Sequence, residues 1–205
     1  MSGATERPRR VEYSEHTRAA LVESAIELFT ERGYANSSLD EIAKRARVTK
    51  GALYHHFAGK RALFEAAFEG VEIGVVSRLS AEMPGKRDPW EELRAGLDAF
   101  LRECLEEPFR RVVVQEGPVV LGYRRWYDLG ERYTFGLVRS SLTRLVENGT
   151  IDSGSPVDVL ARVVFGGLSA GANTIANSDD PKRTSVEVGQ ALERLLRGLR
   201  DGGTG

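Results

Sequence analysis

The sequence predicts an all-α protein with about nine helices. Apolar residues recur at intervals of three and four along most of the chain, which is the spacing of a helix face, and never persistently at two, the spacing of a strand. Residues suited to helix starts and stops separate these patterns. With 205 residues, of which 41% are hydrophobic, the chain is large enough to bury a core in one or two domains.

Candidate helix starts carry a side chain that can accept from the first turn, followed three residues later by an acid. These pairs are Ser38 with Glu41, Asp88 with Glu91, Ser155 with Asp158, and Thr184 with Glu187. Proline fits the first helical position, so Pro89 and Pro156 strengthen two of the four. Glycine and asparagine can adopt the left-handed conformation that ends a helix. Expected helix ends of this kind are Gly33, Gly59, Asn148 and Gly149.

Four apolar stripes define helix faces that should point into the core. The first, in a helix from about Ser14 to Arg32, is Leu21, Ala25, Leu28 and Phe29; the others are Phe64, Phe68, Val71 and Val75; Trp126, Leu129, Tyr133 and Leu137; and Val188, Leu192, Leu195 and Leu199. Pro108, Gly117 and Pro118 interrupt residues 106–122, where we expect one or two short helices. Cys104 lies on a further stripe and is expected to be a core thiol.

The stretch from Ile42 to Phe64 carries six Lys or Arg and no Asp or Glu, in a chain whose formal net charge is −1. It overlaps two short helical patterns separated by a turn, Ser38 to Ala46 and Thr49 to Phe57. This is the layout of a helix-turn-helix, and with the charge it predicts that this region binds duplex DNA. A basic surface that is merely solvated is the alternative.

The predicted helix-turn-helix assigns separate roles to its side chains. A shared core should leave the outer face of the last helix free to enter the major groove. The core residues are Phe29, Leu39, Ile42, Ala43, Ala46, Val48, Leu53 and Phe57. The residues expected at the groove are Lys50, Gly51, Ala52, His55 and His56, with Thr49 at the start of their helix. Those expected at phosphates are Ser38, through the amides of its helix start, and Lys44, Arg47, Tyr54 and Lys60.

Three strings in this region stand at a distinctive spacing: LDEIA at residues 39–43, VTKGALYHHF at 48–57 and KRAL at 60–63. Over about residues 21–68 the chain resembles the DNA-binding domain of the TetR family of bacterial transcriptional regulators. The resemblance implies an α-helical homodimer in which a three-helix DNA-binding unit is joined by a linking helix to a variable domain with a small-molecule pocket. By the family's pattern, Tyr54 and Lys60 hold phosphates, and residues 50–52 and 55 face the groove.

Arg47 departs from that pattern, because the family usually has glycine in the turn between the two helices. A left-handed conformation there would cost a non-glycine residue roughly 1 kcal/mol. Either the turn tolerates this conformation or its geometry differs. Arg47 would also add a phosphate contact.

We divide the chain into a flexible basic N-terminal arm (residues 1–13), a helix-turn-helix DNA-binding domain (14–60) and a ligand-binding and dimerisation domain (61–205). The cations Arg7, Arg9 and Arg10 could reach a minor groove, although a disordered tail is the alternative. No apolar run reaches the eighteen or so residues of a membrane span, and the start has no signal-peptide pattern. We therefore expect a cytoplasmic protein.

The third region contains candidates for a ligand pocket and for a dimer interface. Aromatic residues near the breaks at Gly117 and Pro118 would suit a flat, partly anionic or hydrogen-bonding ligand, or could be ordinary core. They are Phe100, Phe109, Tyr123, Trp126, Tyr127 and Tyr133. Small residues would let a helix pack closely against its two-fold mate, or against a neighbour within one subunit. They are Gly166, Gly167, Ala170, Gly171 and Thr174.

Together these patterns predict a ligand-responsive transcriptional repressor that binds a palindromic operator as a homodimer and is released by a small molecule. Half-sites should lie about one helical turn or somewhat more apart. The alternative is a small-molecule binding protein with a vestigial DNA-binding head. We expect neither enzyme activity nor a cofactor or metal, since the adjacent His55 and His56 project about 100° apart and no phosphate loop or nucleophile with a base is evident.

Overall fold

The computed structural model describes residues 6–83, 88–151, 154 and 156–201, with side chains from Tyr13 to Arg200 within those ranges. Over these residues the chain is all-helical, which confirms the predicted fold class. The elements are α1 (Glu6–Arg32), α2 (Leu39–Arg45), α3 (Lys50–His56), α4 (Lys60–Glu82), α5 (Pro89–Glu103), a π-helix (Phe109–Glu116), α6 (Gly117–Leu121), α7 (Tyr123–Tyr133), α8 (Phe135–Glu147), α9 (Val157–Ala176) and α10 (Pro181–Asp201).

Helix α1 is longer than the sequence predicts. It begins at Glu6 rather than near Ser14, so residues 6–13, predicted as part of a flexible arm, are helical. Residues 1–5 of that arm, and the side chains of its three arginines, lie outside the described residues. The helix ends as predicted at Gly33, whose φ is +79° and whose N–H donates to the Phe29 carbonyl oxygen at 2.9 Å.

Two predicted helix starts are confirmed. Ser38 forms a capping box with Glu41, because the Ser38 hydroxyl accepts from the Glu41 N–H and the Glu41 carboxylate accepts from the Ser38 N–H. The Asp88 carboxylate accepts from the Trp90 N–H at 2.9 Å, with proline at the next position. These caps satisfy amides that the first helical turn leaves unpaired.

Two other boundary predictions are wrong. Helix α10 starts at Pro181 rather than near Thr184, because the Asp180 carboxylate accepts from the Arg183 N–H and so caps the helix earlier. Gly59 has an extended φ of 164° and is the N-cap of α4, since the next helix begins immediately after it. The Ser155 cap lies outside the described residues, and Gly149 is left-handed as predicted, with φ +72°.

Helix α4 packs against both α1 of the DNA-binding part and the helices of the rest of the chain. Its predicted stripe is buried throughout, and Phe64 packs against Phe29 of α1 with ring centroids 5.2 Å apart. The same hydrophobic cluster continues through α4 to the π-helix and α9. Cys104 lies in this cluster and is 1% exposed, which confirms a core thiol, and burial raises its pKa to about 12.

The predicted phase of α10 is partly wrong. Leu192 is buried, but Leu195 is 69% exposed and Leu196 takes the inward position at 6% exposed. Both alternatives fit an α-helical spacing, so only the neighbouring helices decide between them. The long pattern from 122 to 148 is likewise divided at Thr134 into α7 and α8.

The small residues of α9 face in two directions. A Cβ added at Gly171 would lie 2.7 Å from Val188 Cγ1 of α10, and one at Gly167 would lie 3.6 Å from a Leu192 methyl. Gly171 therefore serves close packing within the subunit, as the alternative interpretation held, whereas a side chain at Gly167 would make only ordinary contact. The other members of the predicted set are exposed: Gly166, Ala170 and Thr174.

Helix α9 is also long and apolar enough, by length and composition, to cross a membrane, whereas the sequence predicted no such segment. The mean hydropathy of its most apolar stretch is 1.3, and 33% of that stretch is buried. Asp158 and Arg162 interrupt its first turns, and it packs between α8 and α10. This is the environment of a core helix with one face left uncovered.

We expect Gly33→Ala to destabilise the fold more than Gly149→Ala. Both positions are left-handed, which costs alanine roughly 1 kcal/mol. Only at Gly33 would the new Cβ also collide, lying 2.5 Å from Glu116 Oε1, while nothing lies within 4 Å at Gly149. Urea unfolding of both variants would measure the difference. Equal losses would show that the Glu116 side chain moves aside freely.

Candidate DNA-binding surface and ligand cavity

The turn between α2 and α3 has the left-handed geometry that the resemblance implied. Arg47 has φ +56°, the one positive φ of a non-glycine residue in the described part of the chain. Its N–H donates to Lys44 O at 3.2 Å, and the Val48 N–H donates to Ala43 O at 3.0 Å. The turn therefore keeps its geometry with arginine in place of glycine.

Most of the predicted DNA-binding residues are exposed on α3 or beside it, while Ile42 and Leu53 are fully buried. The exposed members are Ser38, Lys44, Arg47, Thr49, Lys50, Gly51, Tyr54 and His55, and the half-buried ones are Ala52, His56 and Lys60. Burial, with the charges of His55 and Arg18, lowers the pKa of His56. The lowered pKa favours the uncharged form of the His56 imidazole at neutral pH.

Acids from outside the basic stretch neutralise part of it. Arg45 donates two hydrogen bonds to Glu31 of α1, at 2.7 and 2.9 Å. Lys50 Nζ lies 2.8 Å from an oxygen of Asp40, and that hydrogen bond raises the pKa of Lys50. Within the basic stretch, Lys44, Arg47, Lys60 and Arg61 form no ion pair with an acid that the structure describes, whereas Arg45 and Lys50 do. These two pairings were missed from the sequence because the acids precede the stretch and reach it only through the fold.

Lys60 is held at the edge of this surface. Its Nζ lies 4.4 Å from the centroid of the Tyr34 ring and donates to the Ala35 carbonyl oxygen at 3.4 Å. A cation over an aromatic face is attracted by the ring's negative charge. The ammonium group is thereby fixed beside the start of α4, close to the exposed face of α3.

A cavity lies in the helical body that follows the DNA-binding part, between α4, the π-helix, α7 and α9. It contains about 510 Å³ of space unoccupied by protein, part of it open to solvent. Four of the six predicted ligand-binding aromatics line it: Phe100, Phe109, Trp126 and Tyr127. Tyr123 is 70% exposed on the outside, and Tyr133 lies against Glu69 instead. Tyr123 and Tyr133 are the first and last residues of α7, beyond the turns that carry Trp126 and Tyr127, and the exposed Tyr123 ring packs against those two rings.

A second, more apolar cavity adjoins the first. It contains about 520 Å³ of space unoccupied by protein, part of it open to solvent, and Phe100, Thr134 and Leu168 line both cavities. The remaining walls of the second cavity are almost wholly aliphatic, with Ser141 as the polar exception. The body of the protein thus has two adjoining spaces of different chemistry.

Glu72 is a buried carboxyl group in the first cavity, and the sequence analysis missed it. It is 3% exposed, and the Thr134 hydroxyl donates to its Oε2 at 2.9 Å. Burial raises its pKa to about 7. A signal was present, since position 72 is four residues after Phe68 and three before Val75 on the apolar stripe of α4.

The predicted partly anionic ligand is not supported by this lining. Arg124 and Arg125, the cations that follow Tyr123 in the sequence, are exposed, and Arg125 pairs with Glu65 on the surface. Glu72 is the one Asp, Glu, Lys, Arg or His among the residues that line either cavity. Within the described ranges, no group of three or more His, Cys, Asp or Glu could hold a metal ion.

One hydrogen-bonded contact joins the π-helix to the DNA-binding part, and two more tie α6 and α7 to their neighbours within the body. The Glu116 carboxylate, at the end of the π-helix, accepts from the Tyr34 N–H at 2.9 and 2.8 Å. Arg61 donates to Leu121 O at 2.9 Å. Within the wall, Trp126 Nε1 donates to Val113 O at 2.8 Å. Residues that line the cavity are therefore one element away from the end of α1.

A helix-turn-helix with an exposed last helix, joined to a helical body with internal cavities, defines a DNA-binding regulator. Comparison with known proteins agrees. The family described as "Bacterial regulatory proteins, tetR family" matches residues 21–67, and "Tetracyclin repressor-like, C-terminal domain" matches residues 90–199. The chain belongs to the TetR family of transcriptional regulators, which are not enzymes.

Individual relatives cover much of the chain. The Transposon Tn10 TetC protein of Escherichia coli is 28% identical over 73% of this chain and 75% of its own length. The crystal structure of a TetR-family regulator from Pectobacterium atrosepticum has a TM-score of 0.82 and 33% identity, over 92% of this chain and 96% of that one. A structure of RolR in complex with resorcinol has a TM-score of 0.70 and 25% identity, over 90% and 89%.

We expect the stability gained by Glu72→Gln to depend on pH. Because the pKa of Glu72 rises from 4.5 to about 7 on folding, the folded state keeps a proton that the unfolded chain has lost between these values. The stability of the native protein therefore falls across this window by about 3 kcal/mol, and that of the glutamine variant does not.

Unfolding in urea at pH 4.5 and pH 8 would measure this effect. The free energy of unfolding of Glu72→Gln should exceed that of the native protein only at the higher pH. Glu147→Gln, on the exposed side of α8, is the control. A constant difference between native protein and Glu72→Gln at both pH values would contradict the buried, protonated carboxyl.

Proposed function

We propose that this protein is a cytoplasmic, ligand-responsive repressor that binds a palindromic operator as a homodimer and is released by a small molecule. The observation that carries the proposal is the direct connection of an internal cavity to a helix-turn-helix, through Glu116 and Tyr34. The complex of the related RolR with resorcinol supports a small-molecule effector. We propose residues 14–60 as the DNA-binding part and 61–205 as the part for ligand and dimer.

In this proposal α3 enters the major groove. Lys50 donates to guanine O6 and N7 after leaving Asp40, Gly51 allows close approach, and Ala52 contacts a thymine methyl. His55 and His56 lie on the same helix, near the groove and its wall. The remaining members of the surface hold phosphates: Ser38, Lys44, Arg47, Thr49, Tyr54 and Lys60. Lys44 and Arg47, which no described acid neutralises, contribute most directly.

We propose that the exposed face of α9 forms the centre of the dimer interface. Val159 and Val163 are 52% and 68% exposed, and Gly166, Ala170 and Thr174 continue the same face at helical spacing. Small side chains let two helices approach closely. Gly171 is buried against α10 of the same subunit, so it is left out of the proposed interface, and the half-buried Gly167 is kept in it.

Ligand response follows from the placement of the π-helix. Phe109 and Val113 line the cavity, while Glu116 at the end of the same element holds the Tyr34 N–H. An effector that pushes on the cavity wall would move Glu116 relative to α1. In a dimer, a small rotation of each head changes the separation of the two recognition helices and so weakens binding to two half-sites.

We expect two kinds of DNA-binding defect. Lys44→Ala should weaken binding to all sequences and lower the slope of log affinity against log salt by about one per subunit. Lys50→Ala should relax preference at one base per half-site, at roughly 1–3 kcal/mol. Lys182→Ala, an exposed cation on α10, is the control.

Gel shifts with operator selected from random DNA, repeated at several salt concentrations, would measure these effects. If the native protein selects no sequence and its binding shows no salt dependence, the head is vestigial and the second candidate, a small-molecule binding protein, is correct.

We expect Val163→Arg to make the protein monomeric and to weaken operator binding, because it would place two unpaired charges in the dimer interface. Val163 is 68% exposed in the subunit, so the fold itself should survive. Ile73→Arg, at an exposed position of α4, is the matched control. Sedimentation velocity reports the mass. A variant that sediments as the native dimer would place the interface elsewhere.

A further inference from the structure

The carboxyl group of Glu72 is the one carboxyl group in the lining of the first cavity, whose other residues are apolar or aromatic except for Thr134 and Ser169. We propose that the effector is a hydrophobic organic cation of the protonated-amine type, with its ammonium group on Glu72 and its apolar body along the cavity walls. This inference rests on the proposed function, which requires an effector in this cavity. It adds the charge of that effector and the residue that recognises it.

The hydrogen bonding of Glu72 leaves room for a donor from the ligand. Oε2 accepts from Thr134, whose hydroxyl has one hydrogen to donate. Oε1 receives no hydrogen bond from the residues that the structure describes. A buried carboxylate without a positive partner is unstable, and a ligand ammonium would supply both the charge and the missing hydrogen bond. The raised pKa of Glu72 has the same cause.

The walls around this carboxyl group suit a cation. Phe100 and Phe109 lie with ring centroids 6.2 Å apart, and Tyr127 and Phe165 lie 6.0 Å apart. Aromatic faces attract ammonium groups, most strongly where water is excluded. Trp126 contributes its ring alone, because its N–H already donates to the protein backbone.

The same walls disfavour an anion. The cavity lining contains no Lys, Arg or His, so a ligand carboxylate would lie near Glu72 without a positive partner. Two like charges in a poorly hydrated site repel strongly, or one of them must take up a proton. The second cavity, with its aliphatic walls, can then receive an apolar tail that extends past Phe100 and Leu168.

Three probes with one carbon skeleton test the charge directly: 4-phenylbutylamine, 4-phenylbutanol and 4-phenylbutyrate. Calorimetric titration into the full-length protein at neutral pH should show the amine binding roughly ten-fold or more tightly than the alcohol, with the butyrate weakest. Glu72→Gln should lower the affinity for the amine to that for the alcohol. Its unchanged affinity for the alcohol would show that the cavity is intact.

Glu69→Gln is the matched control, because Glu69 lies one turn earlier on α4 and does not line the cavity. It should keep the preference for the amine. Butyrate binding as tightly as the amine, or Glu72→Gln retaining full affinity for the amine, would overturn the proposal.

Operator release separates this inference from the proposed function. Release by the amine in the native protein, and not in Glu72→Gln, supports both. Amine binding that depends on Glu72 but leaves operator binding unchanged would keep the site and refute the regulatory function. Absence of amine binding would refute the site alone, provided that the protein still binds its operator.

Discussion

The packing of α4 against α1 is the constraint on which the rest of the structure depends. Gly70 of α4 lets the two helices approach, since a Cβ there would lie 3.1 Å from Ile26 and 3.2 Å from Val22. The buried face of α4 then runs from Phe64, in the core of the DNA-binding part, past Glu72 on the first cavity to Leu79 on the second. Because interiors are close-packed, such a helix transmits a displacement instead of absorbing it.

The electrostatics of the head show why counting charges along a chain is insufficient. The stretch from 42 to 64 contains no acid, yet Glu31 and Asp40 neutralise Arg45 and Lys50 across helix contacts. Arg45 therefore joins α2 to α1, and its role is structural. The charge that remains for a phosphate backbone belongs to fewer residues than the sequence suggests: Lys44 and Arg47 near the turn, and Lys60 at the start of α4.

The parts of the molecule that could be predicted from sequence are those decided within a few residues. The capping box at Ser38 and the left-handed turn at Arg47 depend on local geometry, and so does the burial of the stripe through Phe68. What could not be predicted depends on neighbours distant in sequence. For example, the packing of α10 on α9 decides that Leu196 rather than Leu195 faces the core, and Gly171 faces α10 because Val188 lies against it. The position of Glu72 on an apolar stripe was readable, but its partner Thr134 was not.

The π-helix has a consequence for how the protein can change shape. A π turn holds about one residue more than an α turn, and such segments are uncommon in helical proteins. Conversion of one such turn to α geometry would rotate the following residue by about 100° along the helix. Glu116 is the last residue of the π-helix, so conversion of a turn before it would change the direction of its side chain. A change of one residue in register in this segment would therefore have two discrete outcomes: the Glu116 carboxylate either accepts from the Tyr34 N–H just after α1 or has turned away from it.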